Sequence, residues 1–179
     1  MKYLLKNVLT NKERKKLIED AKPYLIDGED LNLLMNAEGY SFPGKQTAAS
    51  DFEDIPDFKD PLNKIITKIR KKLDKDLVID RAWVNWTNGK KKDMGWHNHW
   101  EFPYAAVYYM KTFPFFSNGT LFEDGLAKAP QNSVLIFPGY LNHTAPSSPL
   151  RFDRYSMAFN LRYPTDSSSK PPFITTTKA

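Results

Sequence analysis

The chain contains three histidines, and their placement is its clearest chemical signal. His97 and His99 stand at i and i+2, and His143 returns far downstream. In an extended strand side chains alternate between faces, so His97 and His99 project to one side about 7 Å apart. Two imidazoles so placed suit one metal ion, since each nitrogen must come within about 2.0–2.2 Å of it. His143 must then be delivered from another strand. The run Ser133-Val134-Leu135-Ile136-Phe137-Pro138-Gly139-Tyr140 reads as a buried apolar strand closed by a Pro-Gly turn. A turn there presents His143 at a sheet rim, facing the pair.

The second signal is the alternation from Arg154 to Tyr163. Arg154, Ser156, Ala158, Asn160 and Arg162 fall on one face, and Tyr155, Met157, Phe159, Leu161 and Tyr163 on the other. The apolar face must be buried. If it packs against helices, the polar face looks into a cavity where Arg154 and Ser156 hold a carboxylate. The alternatives are a solvated face, with Arg154 paired to Asp153 or another surface acid.

Helices and strands must position these groups. Thr10-Asn11-Lys12-Glu13 is a capping box, followed at helical spacing by Leu17, Ile18, Ala21, Tyr24 and Leu25, with Pro23 limiting the helix. Residues 27–59 are acidic and turn-rich and read mostly as loop, a candidate flap near the site. A second helix is expected to begin at Asp60-Pro61, as N-cap and first position. Its stripe of Leu62, Ile65, Ile66, Ile69 and Leu73 would cover a sheet, with lysines outward. Strands are expected near 77–87, 96–100, 103–112, 119–123, 133–138 and 154–163, and the tail from Pro164 reads as loosely held. Helices first and strands afterwards imply an α+β, mainly β layout, a jelly roll supported by N-terminal helices. The expected organisation is one domain over 1–163, with helical support at about 10–75 and a β core at about 77–163.

Bulk properties narrow the classes. At 179 residues, 41% hydrophobic and 14% aromatic, the chain can bury a sizeable core and is not of disordered composition. It has no cysteine, which excludes disulfides, thiolate metal sites and cysteine nucleophiles. Neither a signal peptide nor a membrane-spanning run is present, so a soluble cytoplasmic protein is expected. The net charge of +5 sits largely in Lys64, Lys68, Arg70, Lys71, Lys72, Lys75 and Lys90-Lys91-Lys92, which read as solvated faces and loop tips. A nucleic-acid partner is not expected, although the charge can draw in an anionic cosubstrate.

The order HxH, a distal His, then R-x-S resembles the 2-oxoglutarate- and iron(II)-dependent oxygenases, which are built on a double-stranded β-helix. Val107-Tyr108-Tyr109-Met110 is similar to a strand of prolyl-hydroxylase-like members. Trp83-Val84-Asn85, His97-Asn98-His99 and Ser156-Met157-Ala158-Phe159-Asn160 resemble a subgroup with HxH in place of HxD. The resemblance covers roughly residues 77–163. It implies iron(II) on His97, His99 and His143, and 2-oxoglutarate held by Arg154, Ser156, Tyr108 and Asn85. The implied reaction is decarboxylation to succinate and carbon dioxide with hydroxylation of a C–H bond in an unidentified substrate, for which a peptidyl or free amino acid is an option. Most members supply a carboxylate where this chain has His99. Asp93 and Glu101 are the nearest carboxylates, so they remain alternatives for the third ligand. A cupin-like metal protein on a similar barrel is the competing reading, and a metal-free binding protein a third.

Overall fold

The computed structural model describes residues 1–28, 30, 44–47, 56–88, 95–113, 119–146 and 152–164. Strand β1 (Tyr3–Lys6) leads into helix α1 (Asn11–Ala21), followed by a short 3-10 turn at Lys22–Tyr24. The capping box forms as expected. Glu13 N donates to Thr10 Oγ1 at 3.2 Å, and Thr10 N donates to Glu13 Oε2 at 2.8 Å. Helix α1 then ends two residues before Pro23.

Helix α2 spans Pro56–Leu73, so the expected start at Asp60-Pro61 is wrong by about one turn. Pro56 satisfies the same first-position rule. Pro61 therefore lies inside the helix and removes the bond that residue 61 would donate to residue 57. Buried Phe58, Leu62, Ile65 and Ile69 hold this turn against the core regardless.

The remaining strands are β2 (Ile26–Asp27), β3 (Lys45–Gln46), β4 (Val78–Thr87), β5 (Tyr104–Lys111), β6 (Gly119–Phe122), β7 (Gly125–Lys128), β8 (Ser133–Pro138), β9 (His143–Thr144) and β10 (Arg154–Arg162). They form a seven-stranded sheet in the order β1-β8-β5-β10-β4-β3-β2 and a three-stranded sheet in the order β7-β6-β9. All pairings are antiparallel. The expected loop at 27–59 is corrected in part, since Asp27 and Lys45–Gln46 extend the large sheet beyond β4. Residues 96–100 form no regular strand. His97 instead makes an isolated antiparallel bridge with His143. The loosely held tail expected beyond residue 164 lies outside the described residues.

Strand β10 divides the molecule. Its odd face, Tyr155, Met157, Phe159 and Leu161, packs with α1, α2 and the matching faces of β4, β5 and β8 in the main core. A second core joins Ala105, Tyr109, Leu135 and Phe137 of the large sheet to Phe122 of the small one. The layers are thus helices, large sheet and small sheet, and the even face of β10 looks into the space between the sheets. This is the expected jelly roll. No helix among the described residues is long and apolar enough to cross a membrane.

Candidate metal centre and cosubstrate cavity

Between the sheets lies a cavity of about 590 Å³, counted out to its open mouth. Cross-strand pairs of β10 and β4 form one wall: Arg154 opposite Thr87, Ser156 opposite Asn85, and Ala158 opposite Trp83. His97, His99 and His143 line the same cavity.

The three imidazoles converge. Each offers a nitrogen within 4.8 Å of the others, and ring centroids stand 4.3 Å (His97–His143), 5.4 Å (His97–His99) and 5.2 Å (His99–His143) apart. Backbone bonds fix this convergence: His97 N to His143 O at 3.0 Å, His143 N to His97 O at 2.9 Å, and His99 N to Gly139 O at 2.7 Å. Gly139 is required here. A Cβ at that position would stand 2.1 Å from Phe102 O and 2.5 Å from His99 O.

Two tautomers are set by the chain itself. His97 Nδ1 lies 3.0 Å from Gly95 O and His143 Nδ1 lies 2.9 Å from Leu141 O. A carbonyl only accepts, so each Nδ1 carries the proton and each Nε2 is left with a free lone pair, the arrangement a metal ligand needs. Residue spacing carries no sign of these bonds, which run from each histidine to the carbonyl two residues earlier. Burial, then the neighbouring His143 and His97, holds His99 down to about 3. Burial and His97 hold His143 down to about 4, against the raising effect of the Leu141 carbonyl. Both rings therefore stay neutral well below the 6.5 that composition alone suggests. Phe137 and Phe122 wall His143 at ring distances of 4.7 and 5.9 Å, and Trp83 lies 5.8 Å from His99. Glu101 is not part of the cluster. Asp93 lies outside the described residues.

Arg154 projects from β10 into the cavity. Its Nη2 donates to Gly119 O at 3.1 Å, its guanidinium carbon stands 5.7 Å from the centre of the Tyr109 ring, and its Nε is buried with no partner. Burial pulls the guanidinium below its ordinary value, opposed by Tyr109, and an arginine so placed remains charged. An arginine that lines a cavity with one donor nitrogen unpaired fits a carboxylate. Ser156 and Asn85 face each other on the same wall. Asn85 Oδ1 is also buried without a partner, and as an acceptor it calls for a hydroxyl or N–H rather than a carboxylate oxygen.

Tyr108 is not brought to this site. Its ring lies in the helix-side core, in register with Met157, and its hydroxyl is spent on Asn132 Oδ1 at 3.0 Å. One residue along a strand reverses the face, so the tyrosine beside Arg154 is Tyr109. Its hydroxyl lies 2.6 Å from Thr120 Oγ1.

No protein-family model matches this sequence, and no curated protein matches it with significance. Solved structures do match. HygX from Streptomyces hygroscopicus, with nickel and 2-oxoglutarate bound, aligns over 92% of this chain and 83% of its own at 10% identity and a TM-score of 0.62. The viral collagen prolyl hydroxylase vCPH of Paramecium Bursaria Chlorella virus-1, in its 2-oxoglutarate complex, aligns over 90% and 95% at 14% identity and 0.59. SnoN, a non-haem alpha-ketoglutarate-dependent epimerase from nogalamycin biosynthesis, aligns over 90% and 77% at 13% identity and 0.64. The chain has the fold of the 2-oxoglutarate-dependent oxygenases. At these identities the oxygenase fold is what is shared, and the chemistry must be argued from the histidines and Arg154.

Proposed function

We propose that this chain is an iron(II)- and 2-oxoglutarate-dependent oxygenase, with His97, His99 and His143 as metal ligands. The observation that carries the reading is the partnerless buried Nε of Arg154 in the cavity that also holds three converging imidazoles. Three imidazole nitrogens converging from one side would suit a divalent ion and leave positions on it for other ligands. Arg154 would hold the distal carboxylate of 2-oxoglutarate, with Tyr109 and the Gly119 carbonyl fixing the guanidinium and the Ser156 hydroxyl adding a donor. Asn85 is left to a donor group on substrate or water. Phe122, Phe137 and Trp83 keep bulk water off the ligand rings. Bound together, iron(II) and 2-oxoglutarate would let dioxygen act as the oxidant, one of its oxygen atoms entering succinate as 2-oxoglutarate loses carbon dioxide and the other hydroxylating a substrate C–H bond. HygX has been solved with hygromycin B and vCPH is a collagen prolyl hydroxylase, so the fold serves unrelated substrates. The lack of cysteine is compatible with a reducing, cytoplasmic setting.

The test is an anaerobic titration of the iron(II)-loaded protein with 2-oxoglutarate, reading the visible charge-transfer band of a chelated 2-oxo acid. The band is expected, and Arg154→Ala should weaken cosubstrate binding while iron content is unchanged. No band on an iron-loaded protein would overturn the reading in favour of a cupin-like metal protein.

A further inference from the structure

Exposed aromatic side chains are concentrated in one place. Among the described residues four large hydrophobic side chains are strongly exposed: Met1 at the terminus, and Trp96 (53%), Trp100 (73%) and Tyr140 (67%) in the two segments that carry the histidines. His97 and His99 line the cavity, whereas Trp96, Asn98 and Trp100, which flank them, are exposed to solvent. Asn98 Nδ2 donates to Asn142 Oδ1 at 2.8 Å, and Asn142 Nδ2 donates to Glu123 Oε1 at 2.9 Å. The exposed surface of the histidine-bearing segments therefore carries two indoles, Tyr140 and a linked pair of amides, one of them bonded to a carboxylate. The same backbone bonds that align His97, His99 and His143 hold it rigid.

Single exposed aromatics are ordinary, whereas three of them in the segments that also carry tethered amides have the composition of a ligand surface. An apolar protein partner would strip water from Asn98, Asn142 and Glu123 without replacing the hydrogen bonds, at roughly 1–3 kcal/mol per group. A nucleic acid needs cations for its phosphates. Neither 95–101 nor 139–146 contains a lysine or arginine, and exposed Glu101 and Glu123 add negative charge. A sugar satisfies both halves of the pattern. One face of its ring is C–H and packs on an indole, while its hydroxyls both donate and accept and so take the place of water on the amides and carboxylate.

We propose that the surface of Trp96, Asn98, Trp100, Tyr140, Asn142 and Glu123 binds a saccharide chain. Because the surface shares its backbone with His97 and His99, a saccharide or glycoside is then the substrate class delivered to the cavity; that last step rests on the proposed oxygenase function, whereas binding does not.

The test uses metal-free protein in chelator, titrated with the hexasaccharides of β-1,4-glucose, α-1,4-glucose, β-1,4-xylose and β-1,4-N-acetylglucosamine, with calorimetry and tryptophan emission as readouts. At least one should bind and shift the emission to the blue. Trp100→Ala and Asn98→Ala should each weaken it by roughly tenfold or more with unchanged urea midpoints, since both side chains are exposed. Binding by none of the four overturns the proposal, as does equal affinity in both variants. Binding of decaproline instead would make the surface a peptide site, and self-association abolished by Trp100→Ala would make it an interface between copies; either result also overturns the proposal. Saccharide binding in a protein that gives no 2-oxoglutarate band would leave this site standing and remove only the oxygenase reading.

Discussion

Gly139 is where the smallest change should do the most damage to the proposed metal centre. An alanine Cβ would lie 2.1 Å from Phe102 O and 2.5 Å from His99 O, both main-chain atoms that no rotamer change can move. Carbon–oxygen contacts settle near 3.3 Å, so the two segments must part by about 1 Å. That parting strains or breaks the bonds from His99 N to Gly139 O at 2.7 Å and from Gly139 N to Pro103 O at 3.3 Å. Overpacking costs about 1–3 kcal/mol and each lost hydrogen bond about 1, so Gly139→Ala should lower stability by roughly 2–4 kcal/mol. Metal ligands tolerate only about 0.2 Å of misplacement, so His99 should also leave the ligand set. The assay is a pair of measurements on each variant: the urea midpoint, and divalent-metal affinity by competition with a chromophoric chelator under conditions where the protein is folded. Gly95→Ala is the control, because a Cβ there meets nothing within 4 Å although the residue lies two positions from His97. It should change neither quantity by more than about 0.5 kcal/mol. A folded Gly139→Ala protein with wild-type metal affinity would refute the claim that this close approach positions His99.

The two adjacent tyrosines should separate by role. Tyr108→Phe should cost about 1 kcal/mol of stability through the lost bond to Asn132 and leave 2-oxoglutarate affinity unchanged, whereas Tyr109→Leu should weaken that affinity by removing the ring beneath Arg154; isothermal titration of both variants decides it, and the reverse pattern would sink the assignment. Metal-free stability should depend on pH through the histidines. His99 and His143 have folded-state values of about 3 and 4, below the ordinary 6.5, so the unfolded chain takes up their protons first as pH falls. Stability is therefore greatest above 6.5 and is lost progressively below it, each histidine adding a slope of up to about 1.4 kcal/mol per pH unit; urea midpoints in chelator should lose one such increment in His99→Gln, and an unchanged slope would refute it.

The long, strongly patterned elements were legible in the sequence because each has one buried face. Leu17, Ile18 and Ala21 of α1 and the odd residues of β10 reach the core that their periods predict. What was missed has physical reasons. Strands of two to four residues, such as β1, β7 and β9, are too short to show a period and are specified by their partners. In Val107-Tyr108-Tyr109-Met110 both faces of β5 are buried, one under the helices and one under the small sheet, so alternation carries no phase, and the resemblance that points to Tyr108 has nothing local to correct it toward Tyr109, the tyrosine beside Arg154. The histidine cluster was legible from spacing alone. The carbonyl bonds that fix its tautomers, and the burial that keeps His99 and His143 neutral, arise only when the segments meet.

The sequence left open whether Arg154 is a binding residue or half of a surface ion pair, and what its neighbours are already doing favours the first. Asp153, the adjacent acid, is exposed, accepts from Trp86 Nε1 at 3.2 Å and lies 3.7 Å from Lys111 Nζ. As the next residue along the chain it faces away from the cavity side. Arg154 has instead a carbonyl at Nη2, an aromatic ring beneath it and nothing at Nε. Arg162, four rungs further on the same face, shows what a structural arginine on this strand looks like: its Nε meets the buried carboxylate of Asp80 at 2.9 Å. A buried guanidinium without such a partner is costly, and it becomes favourable once an anion enters from the cavity. Arg154, with one donor nitrogen unpaired, and the three histidines thus line one cavity, the juxtaposition on which the proposed binding of an anionic metal chelator rests.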